Sequence, residues 1–170
     1  MKLRILQVVS YYPPALSFGG PPQVMFDLGK ELIAKGHSVS VYTTDVMNIE
    51  DWKARIEKRD DEVNGIKIHR FGRMKYSYKL PTEFLKFLVG EVDRQCSRDM
   101  KNFDIVHIAS VTHPLALKCS SWANKRNIPY VISIFGNPLF TLTVALASEF
   151  VPYLRLIKLY FESSLSLRSS

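Results

Sequence analysis

The sequence predicts an α/β domain: a mainly parallel sheet with helices on both faces, three layers in all. Five short β-branched or apolar runs recur along the chain, at 4–10, 39–44, 66–71, 104–110 and 130–135. Helix-patterned segments fall between them. The first run and the last two, RILQVVS, DIVHIAS and YVISIF, are nearly continuous in apolar character. Strands covered on both faces look like this. Strand–helix–strand repetition in turn implies parallel pairing through right-handed crossovers.

Each element has its own signal. Between the first two runs, Val24, Leu28 and Leu32 make a stripe over 21–36, with Met25 and Ile33 beside it. Pro22 suits a first helical turn and Gly36 a stop. The stretch DWKARIEKRDDE alternates charge and reads as a solvated helix face. VNGIKIHRF places a turn at Asn64-Gly65 before a strand of period two, expected at a sheet edge. Over 81–100, Phe84, Leu88, Val92, Cys96 and Met100 recur every four residues. Segment 114–126 opens on Pro114 and carries Leu115, Ala116, Cys119 and Trp122, a third helical pattern.

The totals bound the function. The chain has 170 residues, the size of one domain, and 46 % are hydrophobic, enough to bury a core. Its formal charge of +7 and pI near 9.4 favour an anionic partner but do not choose among nucleotide, phosphorylated substrate, acidic lipid and nucleic acid. Excess Lys and Arg also serve solubility alone. No aromatic-and-basic platform or groove-reading helix is visible, which sets nucleic acid aside. Cys96 and Cys119 are far apart in sequence, and no Cys/His cluster has metal spacing. Two free buried thiols imply a reducing compartment. The N-terminus is basic, then apolar for too few residues to be a signal peptide. Segment 139–161 is the most lipid-like, but Glu149, Pro152, Arg155 and Lys158 interrupt it and argue against a spanning helix. A cytoplasmic protein is expected, with contact at the inner membrane face open through that segment.

Ligands of such sheets sit beyond the carboxyl ends of the strands, so candidate residues are sought there. After the first strand the chain runs through SYYPPALSFGGPP, about ten residues of loop before a helix. A tight dinucleotide-type glycine turn is not supported. Gly19 and Gly20 instead offer close backbone approach to an anion at a helix start, with Tyr12 and its neighbours as a rigid wall. Gly19-Gly20 serving only to turn the loop is the competing reading. Beyond the fourth run lie Ser110 and His113, and beyond the fifth Gly136 and Asn137. His113 is the candidate for acid–base work. His107, inside a strand, His37, at a helix–strand junction, and His69 read as structural or uninformative.

Taken in order, ILQVVSYYPPALSFGGPPQVMFDLGKELIAKGHSVSVYTTD, NGIKIHRF, FDIVHIAS and NIPYVISIFGNP resemble the N-terminal domain of retaining GT-B glycosyltransferases of the family 4 type, across essentially the whole chain. The resemblance implies a Rossmann-like α/β/α domain, one half of a GT-B fold, that holds the acceptor. Gly19 and Gly20 would lie at the cleft near the donor diphosphate and the acceptor, and substrate binding would involve Tyr12, Gly19, Gly20, Ser110, His113, Gly136 and Asn137. A nucleotide-sugar donor would enter as substrate, with no cofactor and no metal. Partners implied are a sugar or lipid-linked acceptor and a donor-binding domain with a paired-glutamate motif, which the resemblance places beyond Ser170. The expectation is therefore a truncated single domain over 1–170, inactive alone. Two departures bear on catalysis: Phe135 stands where the family has a histidine before the glycine, and the donor half is missing. Both leave open a non-catalytic binding or interaction module built on the same fold.

Overall fold

β-Branched segments become strands here because the chain returns through a helix after most of them and buries both sheet faces. The computed structural model describes residues 1–48, 50–51, 53–72, 91–109 and 113–135. Ser110, Gly136, Asn137, the first half of the expected helix 81–100 and segment 139–161 lie outside them. The chain divides into two compact units, Met1–Ser133 and Ile134–Ser170. Of the second, only Ile134 and Phe135 are described.

In the first unit, β1 (Arg4–Val8), β2 (Ser38–Thr44), β4 (Ile66–Phe71), β5 (Ile105–Ile108) and β6 (Tyr130–Ile132) form the parallel part of one sheet. β3 (Asp60–Val63) pairs antiparallel with β4 at the edge. The order is β3-β4-β2-β1-β5-β6. Three α-helices are described: α1 (Gly20–Ala34), α2 (Val92–Asp99) and α3 (Pro114–Lys125).

Alternation along the strands assigns the two faces. Leu6, Val8, Tyr42, Phe71, Val106 and Ile108 point one way and form a single core with Val92 and Cys96 of α2 and Leu115, Cys119 and Ala123 of α3. Gln7, Val41, Ile66 and Ile68 lie on the other face, under α1. The mainly parallel three-layer architecture expected from the run pattern is therefore present.

Two local expectations are corrected. The buried side of α1 is Pro22, Met25 and Gly29, not the Val24–Leu28–Leu32 stripe. Val24 and Leu28 are 49 % and 37 % exposed. Gly29 sets this rotation. A Cβ built there would sit 2.8 Å from Ile66 Cδ1 and 3.2 Å from Gln7 Oε1, so the helix backbone rests almost on the sheet. The second correction concerns the charged stretch 51–62, whose end is strand β3. Asn64 and Gly65 both have positive φ, 53° and 78°, the geometry of a two-residue hairpin turn. That turn folds the acidic Asp60–Val63 back onto β4, where Asp60 Oδ1 meets His69 Nδ1 at 2.6 Å and Asp61 Oδ1 meets Lys58 Nζ at 2.6 Å. β4 is thereby interior to the sheet, and β3 takes the edge.

Candidate functional site

In the strand order, the chain leaves β1 toward β2 and β4, then returns to lay β5 on the other side of β1. The carboxyl ends of β1 and β5 are thus the topological switch point, where an open α/β sheet leaves a crevice. The loop after β1 and the start of α3 meet there.

The first loop is pinned from below. Thr44 at the end of β2 holds the Ser10 carbonyl with its amide, at 3.3 Å, and its hydroxyl, at 2.6 Å. Arg70 is 1 % exposed and donates from Nη2 to the Pro13 carbonyl at 3.0 Å and from Nη1 to the Lys58 carbonyl at 3.2 Å. A buried guanidinium, always charged, thus ties the Tyr/Pro loop to the segment leading into β3. The Pro13-Pro14 peptide is cis. A short 3₁₀ turn, Leu16–Phe18, then delivers the chain to Gly19.

The two tyrosines part company. Tyr12 is 1 % exposed, packed edge-on to Phe26 of α1 at 5.8 Å between ring centroids. Burial pushes its phenol well above the usual range. It anchors the loop to the core and presents no surface to a ligand in this structure. Tyr11 forms the outer wall, stacked on Phe18 with centroids 3.5 Å apart and 8° between planes. It also meets His113 edge-on at 6.2 Å, which joins the two loops of the switch point.

The glycine pair is divided as well. Gly19 is the N-cap of α1, with φ 88° and ψ −154°, a conformation that only glycine adopts freely. Its amide closes the 3₁₀ turn on the Leu16 carbonyl at 3.3 Å. Pro21 and Pro22 carry no N–H, so two of the usual donors of a helix start are missing. The anion-receptive lip expected from the sequence narrows to Gly20. Its amide lacks an intrahelical partner by position, and a Cβ built on it would meet nothing within 4 Å.

His113 is 6 % exposed and caps α3: the Leu115 amide donates to its Nδ1 at 3.2 Å. That bond places the ring proton on Nε2. Burial pulls its pKa down to about 3, so the ring is neutral in any ordinary buffer. His107 Nε2 lies 2.8 Å from Ser133 Oγ and bridges β5 to the residue after β6. His37 accepts from the Leu3 amide at 3.1 Å and secures the start of β1. Both are structural. Sequence reasoning placed Tyr11 in the wall with the other loop tyrosine and the prolines, and missed Phe18 and Arg70. For Arg70 a signal existed, because its position in period two places it on a covered face. The same covered face also holds Gln7 and Thr43. The side-chain amide of Gln7, Thr43 Oγ1, Tyr12 OH and Arg70 Nε have no protein hydrogen-bond partner among the described residues.

A concavity of about 290 Å³ lies elsewhere, among Ser40, Tyr42, Lys67, His69, Asp99 and Phe103. Its carboxylates are spent within the protein: Asp60 on His69, Asp61 on Lys58, and Asp99 on Tyr42 OH. It is walled by residues of β2, β3, β4 and α2 and not by the loops that follow β1 and β5. Among the described residues no group of His, Cys, Asp or Glu could hold a metal ion. No described helix is long and apolar enough to cross a membrane.

The switch point, the long walled loop and the glycine-led helix are those of a Rossmann-like α/β domain. The profile of Glycosyltransferase Family 4 matches residues 18–167, and the chain belongs to that family. Among solved structures, the catalytic domain of starch synthase IV from Arabidopsis thaliana, bound to ADP and acarbose, aligns with a TM-score of 0.51 and 16 % identity over 79 % of this chain and 34 % of that one. Sucrose-phosphate synthase from Thermosynechococcus elongatus aligns with a TM-score of 0.46 and 17 % identity, over 78 % of this chain and 32 % of its own. The chain therefore spans about a third of the length of each. No curated protein matches the sequence.

Proposed function

We propose that this chain is the acceptor-binding half of a glycosyltransferase that moves a sugar from a nucleotide-sugar donor to a glycan or lipid-linked acceptor. Family membership supports glycosyl transfer as the chemistry. The observation that carries the acceptor role is the open backbone at Gly20, beside the Tyr11–Phe18 stack, at the carboxyl end of the central strand. A stacked aromatic pair suits the apolar face of a pyranose ring. An unhindered amide at a helix start suits a hydroxyl or phosphate oxygen. The donor-binding half is a separate domain or subunit, and without it the chain transfers nothing.

A second reading, a non-catalytic binding module, is favoured by one specific feature. The imidazole at this edge, His113, is neutral and occupied as a cap, and Phe135 supplies no proton donor or acceptor.

Titration of the ¹⁵N-labelled chain with maltooligosaccharides and with UDP- and GDP-sugars tests both readings. The acceptor role predicts shifts at the Gly19, Gly20 and Tyr11 amides with a saccharide. Gly20→Val, which has room for its side chain, should weaken that binding at least tenfold without unfolding the protein. No response at this edge to any sugar or nucleotide sugar would refute ligand binding there. Turnover by the isolated chain would refute the claim that it is only half a site.

A further inference from the structure

Cys96 on α2 and Cys119 on α3 are 23 positions apart in sequence, yet their sulfurs lie 3.8 Å apart in the core, both fully buried. Nothing in glycosyl transfer uses them. We propose that these two thiols are a redox modification site, forming a reversible disulfide that clamps α2 to α3 when the protein meets a small-molecule disulfide such as oxidised glutathione.

The helices are already set for it. Asp93, one turn before Cys96, pairs with Lys118 and accepts from Trp122 Nε1 at 2.9 Å, so contacts on both sides of Cys119 hold α3 against α2. A disulfide needs its sulfurs about 2.05 Å apart. From 3.8 Å the sulfurs have about 1.8 Å left to close. No metal-binding set competes for the sulfurs among the described residues.

The chemistry balances without another reagent. One cysteine, as thiolate, attacks the sulfur of the small disulfide and expels one thiolate. The second cysteine then attacks the mixed disulfide and expels the other. Two cysteine thiols are oxidised, one disulfide is reduced to two thiols, and the two protons pass to the leaving groups. Burial and the neighbouring sulfur hold the Cys119 thiol protonated in the closed protein. Exchange therefore runs when α2, eight residues long, lifts from α3. The clamp then fixes α3, whose capping His113 shapes the edge of the candidate site.

The test uses the unmodified chain, incubated folded with oxidised glutathione, quenched with acid and unfolded in an alkylating agent. The expected product is lighter by two hydrogens, blocks both alkylation sites and yields a linked Cys96–Cys119 peptide. Its Tm is higher than that of the reduced protein and returns on treatment with dithiothreitol. Cys119→Ala should give no such product. Two thiols still free after exchange, glutathione adducts alone, a disulfide-linked dimer, or a linked monomer with unchanged Tm would each overturn the proposal. The outcome is independent of whether the chain binds sugars.

Discussion

His113 is placed to hold α3 together, and its titration reports this. In an unfolded chain its imidazole takes up a proton near pH 6.5; in the folded chain it does so only near pH 3. Between those values the unfolded state binds one more proton. Stability therefore falls as pH drops through the window, by up to about 1.4 kcal/mol per pH unit. His107, also lowered by burial, contributes in the same direction. His113→Asn keeps an acceptor suited to an N-cap and removes one titration. Urea denaturation between pH 6.5 and pH 4 should show a slope smaller by close to one proton in the variant. Equal slopes would mean that His113 is accessible to protons in the folded state. None of this was visible in "VTHP". A histidine before a helix start reads equally well as an exposed catalyst or a buried cap. The difference lies in what packs over it, here Tyr11. Likewise Tyr11 and Tyr12 are identical letters in the sequence, and only the loop's path decides which one enters the core.

At the scale of elements, helices and strands were legible and their facing was not always so. Pro22 and Gly36 place helix α1 to within two residues at either end, because caps and breakers act locally. Its buried side is not legible from apolar spacing alone, because Gly29, which carries no side chain, is what rests on the sheet. A glycine that brings the backbone onto the sheet outweighs two larger side chains one step around the helix. The consequence is measurable. Met25→Ala, at a fully buried position, should cost roughly 2–5 kcal/mol. Val24→Ser and Leu28→Ser, at exposed positions, should each change stability by about 0.5 kcal/mol or less. Chemical denaturation of the three variants decides it, and a Leu28→Ser loss as large as that of Met25→Ala would restore the sequence-based facing. Strand β3 escaped detection for a different reason. Asp60–Val63 has no strand pattern of its own and becomes a strand because the Asn64-Gly65 turn and the interior β4 impose it.

On the scale of the whole molecule, the loop that carries the candidate site was legible because one topological rule, ligands at strand carboxyl ends, needs only the order of elements. The narrowing of the anion lip to Gly20 was half legible: Pro21-Pro22 stood in the sequence, but the closure of Gly19 on Leu16 required coordinates. The same strand order predicts how stability is distributed. β1 lies between β2 and β5, β2 between β1 and β4, and each shares its ladders with covered faces. β3 has one partner and alternates exposed with half-buried residues, and β6 is only half-buried. Local opening draws on the least buried elements first. Native-state hydrogen exchange should therefore rank amides of β1 and β2 as slowest, β4 and β5 next, and β3 and β6 fastest among the strands. The β1 carboxyl end is the fixed floor of the candidate site, so Val8 and Val9 amides, which pair into the sheet, should exchange far more slowly than Gly20 one loop away. Protection of Gly20 equal to that of Val9 in the ligand-free chain would show its amide closed by the protein's own groups, and would take away the opening on which acceptor binding depends.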